Sequence, residues 1–83
     1  MSLTIYSKPG CGHCKMVKRF LDDKGIDYED VNVYEDEDSM NYLKEQEYYS
    51  LPQVFDNDDY VGDNVGKVMA YVKKLNNGVA SDE

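Results

Sequence analysis

The 83 residues contain no tryptophan, and only two cysteines, two prolines, two phenylalanines and one histidine. Each scarcity excludes something. Two cysteines cannot make the multi-disulfide framework that holds small secreted domains together. A single-chain zinc site needs four ligands, and one cysteine pair with one histidine inside it does not supply them. No apolar run approaches the roughly 18–20 residues of a membrane helix, so no membrane role is expected. Met1-Ser2-Leu3-Thr4 carries neither a charged leader nor a long apolar stretch. No signal peptide is therefore expected, and a cytoplasmic protein is.

Acidic side chains are missing from one stretch. Residues 1–21 hold Lys8, Lys15, Lys18 and Arg19 and no acid; the remaining residues hold five bases and all seventeen acids, for a net charge of −8. An acidic bulk disfavours nucleic acid, whose phosphates need a cationic face. The basic first quarter suits a small anion or an acidic partner. Hydrophobic residues make up 41% of the chain, too many for a disordered tail. The length fits one domain over 1–83 with a thin core, with residues 79–83 after Asn77-Gly78 as a frayed tail.

Leu3-Thr4-Ile5-Tyr6 reads as a short strand, broken by Ser7-Lys8-Pro9-Gly10. A helix is predicted from about Gly12 to Lys24, with Val17, Phe20 and Leu21 on one side and Gly25 as its terminating glycine. Tyr28 to Val33 is a second strand, and Asp36 to Gln46 a second helix carried by Met40 and Leu43. Pro52 opens a third strand, which Asn57-Asp58-Asp59 turns into a fourth at Tyr60-Val61. Asn64 caps a third helix, with Val65, Val68, Met69, Val72 and Leu75 as its buried stripe. The order β-α-β-α-β-β-α predicts an α/β fold: a four-stranded mixed sheet, its first two strands parallel and its last two a hairpin, with helices on both faces.

Cys11-Gly12-His13-Cys14 follows a strand and starts a helix. Positions i and i+3 of a helix share a face, so the two sulfurs can bond across one turn. The helix origin carries partial positive charge and unpaired amide hydrogens, which favour thiolate, the species that attacks disulfides. Cys11, at the cap, is expected to be the more exposed nucleophile; Cys14, one turn in, resolves the mixed disulfide. The competing readings are a structural crosslink, weak because the loop it closes is so short, and a metal or cluster shared between two chains. His13 as an imidazolium would further favour the Cys11 thiolate; otherwise it is an exposed residue that fits the turn. Lys8 is expected to point over the sulfur.

Thr4 to Cys14 resembles the opening of a dithiol glutaredoxin, and Leu51-Pro52-Gln53-Val54-Phe55 resembles that family's second signature. The likeness runs from residue 3 to about 76, in the compact form of the short, phage-type members and of the redoxins that reduce ribonucleotide reductase. It implies a thioredoxin-like fold and a cis peptide before Pro52. It also implies that the Leu51 backbone pairs with substrate, that Lys8 meets the glycine carboxylate of glutathione, and that His13 takes the place of the usual active-site tyrosine. Ser50 replaces the usual threonine. The family's glycine-rich run into the last helix is Gly62-Asp63-Asn64-Val65-Gly66 here, so Asp63 and Asn64 either grip the γ-glutamyl end of glutathione or only cap the helix.

The expected activity is that of a monomeric, glutathione-dependent dithiol oxidoreductase. It acts on protein or mixed disulfides, ribonucleotide reductase among them, and holds no metal and no tightly bound cofactor. The alternatives are a thioredoxin-type redoxin recharged by a flavoprotein reductase, and an iron–sulfur cluster carrier. The eight tyrosines are expected to serve mostly as half-buried packing in place of tryptophan and phenylalanine.

Overall fold

The computed structural model describes residues 2–80. Strand β1 (Leu3–Ser7) alternates strictly, burying Leu3, Ile5 and Ser7 on one face. Helix α1 (Gly12–Asp23) buries Cys14, Val17 and Leu21, the spacing of three and four that keeps side chains on one stripe. It stops at Gly25, whose φ of 68° only glycine adopts freely. The amides of Gly25 and Ile26 then donate back to the Asp22 and Leu21 carbonyls at 3.0 and 2.9 Å, the paired bonds of a Schellman end.

Strand β2 (Tyr28–Asn32) ends one residue before the predicted Val33. Helix α2 (Glu37–Glu45) is capped by Asp36, whose carboxylate accepts the Ser39 amide. Its far end repeats the Schellman pattern, with Glu47 and Tyr48 donating to Lys44 and Leu43. Here a glutamate, not a glycine, takes the left-handed position at φ 63°. Strands β3 (Gln53–Asp56) and β4 (Asp59–Gly62) form the hairpin around Asn57-Asp58, and Pro52 stands just before β3 rather than opening it.

Helix α3 (Val65–Ala80) starts from Asn64, whose side-chain oxygen accepts the Lys67 amide at 2.9 Å. Its first turn crosses Gly62 so closely that a Cβ there would stand 2.5 Å from Lys67 Cβ. The helix runs through Asn77-Gly78 to Ala80, and residues 81–83 of the predicted tail lie outside the described residues.

The sheet order is β2-β1-β3-β4, with β1–β2 parallel and both β1–β3 and β3–β4 antiparallel. All four residues of β3 are buried because helices cover both sides. Leu3, Ile5 and Val54 pack with Val17 and Leu21 of α1 and Val68 and Val72 of α3. On the opposite face Phe55 packs with Val33 and with Leu43 of α2, joined by Tyr6, Met40, Tyr48 and Leu51. The stripe predicted for α3 is narrower than expected. Val68 and Val72 are buried and Val65 packs against them, but Met69 and Leu75 are 48% and 38% exposed. Contact with α1 and the sheet is satisfied along 65, 68 and 72, which leaves 69 and 75 on the flanks.

Candidate active site

Where β1 ends, Gly10 (φ 73°) turns the chain into α1 and leaves Cys11 as the helix cap, extended at φ −91° and ψ 109°. Cys11 Sγ accepts the Cys14 amide at 3.2 Å. A serine or aspartate oxygen makes the same bond at an ordinary helix start. Here the acceptor is a redox-active sulfur, so the backbone donor that stabilises the helix also stabilises negative charge on it. No acidic residue stands in this first turn to oppose that effect.

Cys11 and Cys14 are joined as a disulfide, with Cα atoms 5.3 Å apart. Cys11 retains 8% of its surface against 1% for Cys14, the order expected of an attacking and a resolving sulfur. The Leu51–Pro52 peptide is cis, as the family likeness implies, and the Leu51 carbonyl oxygen lies 3.9 Å from Cys11 Sγ. The chain before β3 is therefore at the dithiol, and its backbone can pair with an incoming peptide like an added strand.

Two supports of this site carried no functional signal in the sequence. Gln53 is 2% exposed on a central strand. Its amide nitrogen donates to the Ser50 carbonyl at 2.8 Å, and its oxygen accepts the Tyr60 hydroxyl at 2.7 Å. A buried, fully bonded amide between apolar neighbours fixes the loop that carries Leu51. At the end of β1, the Ser7 hydroxyl donates to Asp30, which also holds Lys18 at 2.7 Å. Burial pushes the Asp30 carboxyl up, but the Lys18 and Ser7 hydrogen bonds and the Lys18 charge together bring it below the usual carboxylate value. Lys18, one of the four early bases, thus ties α1 to β2.

The other expected site residues divide. Lys8 is exposed and lines a cavity with Ser50 and Leu51. His13 is exposed on the first turn of α1 and makes no hydrogen bond or ion pair among the described residues. Asp63 and Asn64 are occupied at the start of α3. Asn64 caps the helix and donates to Asp63, which pairs with Lys67 at 3.2 Å. No described contact joins either residue to Cys11. Among the described residues no group of three or more His, Cys, Asp or Glu side chains is arranged to hold a metal, and no helix is long and apolar enough to cross a membrane.

Residues 3–61 match the glutaredoxin family model. The glutaredoxin-like protein NrdH of Salmonella typhimurium is 36% identical over 58 residues, which cover 70% of this chain and 72% of that protein. The Gene 56 protein of Mycobacterium phage D29 is 35% identical over 43 residues, covering 52% of this chain and 48% of that protein. A hybrid peroxiredoxin of Haemophilus influenzae is 31% identical over 61 residues, 74% of this chain and 25% of that protein. The chain thus spans about half of the phage protein and a quarter of the peroxiredoxin. Among solved structures, the glutaredoxin-like NrdH-redoxin of Escherichia coli, a protein with a thioredoxin-like activity profile, superposes with a TM-score of 0.74 at 29% identity. That match covers 83% of this chain and 90% of the other. With a cysteine pair capping α1 beside a cis-proline loop, on a sheet built in the order β-α-β-α-β-β-α, the chain belongs to the glutaredoxin family, and it has the parts of a thiol–disulfide oxidoreductase.

Proposed function

We propose that the chain reduces disulfides in proteins, ribonucleotide reductase among them, and is recharged by a flavoprotein disulfide reductase in the manner of a thioredoxin. In the reduced protein the Cys11 thiolate attacks one sulfur of the substrate disulfide. A mixed disulfide forms, and the first substrate sulfur leaves as a thiolate that takes a proton from water. The Cys14 thiolate then attacks Cys11 Sγ, the internal disulfide closes, and the second substrate thiolate departs. Two electrons have passed to the substrate, and the donor returns them.

The observation that carries the choice of donor is the state of Asp63 and Asn64. The residues in line for the γ-glutamyl end of glutathione are bonded to each other, to Lys67 and to the α3 backbone. The thioredoxin-like activity profile of the Escherichia coli neighbour supports the same reading. Glutathione as reducing cosubstrate is the second reading, favoured by Lys8 beside Leu51. We further place the protein in the cytoplasm, as a monomer.

One disulfide substrate offered with either donor separates the two readings. Turnover with thioredoxin reductase and NADPH is expected to exceed that with glutathione by at least about tenfold; the reverse order assigns the site to glutathione. In that case Lys8→Ala should raise KM for glutathione while sparing reduction by dithiothreitol. Cys11→Ser should abolish turnover with both donors. Alkylation of reduced Cys11 should titrate well below the free-thiol value of roughly 8.5.

A further inference from the structure

A cavity of about 350 Å³ opens beside the dithiol, on the α2 face of the sheet. Leu51 lines it and sets its own carbonyl oxygen 3.9 Å from Cys11 Sγ, which ties the cavity to the dithiol through one residue. Its floor is apolar: Val33 and Leu43 are each 2% exposed, and Met40 lies next to them. Tyr34 and Tyr49 flank it at 64% and 78% exposure, the two most exposed large hydrophobic side chains among the described residues. These two depart from the expected packing role of the tyrosines. Neither phenol has a hydrogen-bond partner among the described residues, and solvent-facing aromatics around a concave apolar floor are the composition of a docking site.

Charge is arranged along the same cavity. Lys8 and Lys44, two of nine bases on a chain of net charge −8, both line it, and neither forms an ion pair among the described residues. An adjoining depression shares Tyr34, Met40 and Lys44 with this cavity and adds Glu35 and Glu37.

We propose that this cavity selects the protein substrate: it takes a bulky apolar side chain adjacent to the reacting cysteine, in an extended segment that carries a carboxylate close to that cysteine. The inference rests on the reading of the chain as a reductant of protein disulfides, and adds Lys44, Tyr34 and Tyr49 as specificity-determining residues. The segment pairs with the Leu51 backbone, one side chain enters the apolar floor, and its acid meets Lys8 and Lys44. Glutathione places a glycine beside its cysteine and would leave that floor uncovered.

The test mixes the reduced protein with three disulfide peptides in single turnover. One places Leu and Glu beside the cysteine, one replaces Leu by Ala, and one replaces Glu by Gln. The Leu–Glu peptide should react about tenfold faster than the Ala peptide, the effect of burying one aliphatic side chain. Its lead over the Gln peptide should shrink in about 1 M salt, and Lys44→Glu should remove that lead. Lys44 is exposed, so the variant should fold, which circular dichroism checks. Equal rates for the three peptides, a lead that survives Lys44→Glu, or glutathione disulfide reacting as fast as the Leu–Glu peptide would each overturn the proposal. If no disulfide at all is reduced, the oxidoreductase reading fails, and the cavity is judged by binding alone. A Leu–Glu peptide with Ser for Cys should then shift the NMR signals of Tyr34, Leu43 and Tyr49 in the oxidised protein; no shift at millimolar peptide overturns the docking site.

Discussion

The two faces of the sheet differ in kind. Under α1 and α3 the core is aliphatic: seven buried residues interlock, and none is aromatic. Under α2 the buried hydrophobic cluster among the described residues is only Val33, Leu43 and Phe55, and aromatic rings do much of the rest. Phe55 meets Tyr6, Tyr42, Tyr48 and Tyr60 edge-on at 5.3–6.1 Å, and Tyr48 stacks on Tyr60 at 4.8 Å. The first face is sealed and carries the helix that begins at the dithiol. The second is thin and opens into the cavity beside Leu51. A small domain with little core has put its dry packing beneath the sulfur that must stay in register, and its adaptable aromatic layer where a partner would arrive.

Truncation offers the strongest test of that contrast. Leu21→Ala, in the sealed layer, should cost about 4 kcal/mol, because it leaves a void that closely packed neighbours cannot fill. Leu43→Ala should cost nearer about 2 kcal/mol, since the lost volume joins a cavity that is already open to water. Against a total of roughly 5–15 kcal/mol the first variant approaches unfolding and the second does not. Urea titration of both checks this; equal losses would mean that the α2 face is as tightly packed as the other.

How far such contrasts can be read before folding is known depends on the residue. The cysteine pair, the helix it starts and the proline loop were legible because each rests on local chemistry: a sulfur three residues from its partner, a glycine turn, a proline before a short strand. The sealed face was legible from the spacing of Val17, Leu21, Val68 and Val72. Met69 and Leu75 show the limit, since spacing marks a stripe but not how wide a neighbour covers it. Gln53 shows another. Its role depends on Ser50 and Tyr60, and Tyr60 is seven residues away and comes near only when the hairpin closes. For Asn64 both a cap and a ligand grip were consistent with sequence, and the bond to the Lys67 amide shows the cap.

A smaller effect sits at the rim of the sealed face. Tyr71 of α3 donates its hydroxyl to Asp56 at the end of β3, and the Ser2 amide donates to the same carboxylate at 2.9 Å. The Tyr71 bond, followed by the Ser2 bond, holds the Asp56 carboxyl below its usual 3.8 despite burial. The same bond, with burial, pushes the Tyr71 phenol up to about 12. A lowered carboxyl stabilises the fold fully above 3.8 and loses that contribution as pH falls through its lower folded value. A raised phenol stabilises below 10.0 and is lost as pH rises through about 12. Tyr71→Phe should therefore cost about 1–2 kcal/mol at neutral pH. It should also flatten the stability profile at both extremes, as measured by thermal melts across pH. A variant that loses stability but keeps both pH limbs would assign those limbs to other groups.

The smallest predicted effect separates the faces most cleanly, because α1 and α2 end in the same Schellman geometry with different residues. Gly25 takes the left-handed position after α1 without strain, whereas Glu47 takes it after α2 with a Cβ. A non-glycine residue there costs roughly 1–2 kcal/mol of local strain. Replacing it by glycine relieves that strain but adds about 0.5–1 kcal/mol of chain entropy to be lost on folding. Glu47→Gly should accordingly stabilise the protein by only about 0.5–1 kcal/mol, while Gly25→Ala destabilises it by a similar amount. The signs carry the test. If Glu47→Gly destabilises, the glutamate side chain contributes to the α2 face in a way its exposed position does not show. If Gly25→Ala is neutral, the stop after α1 is set by the Asp22 and Leu21 carbonyls and not by the freedom of glycine.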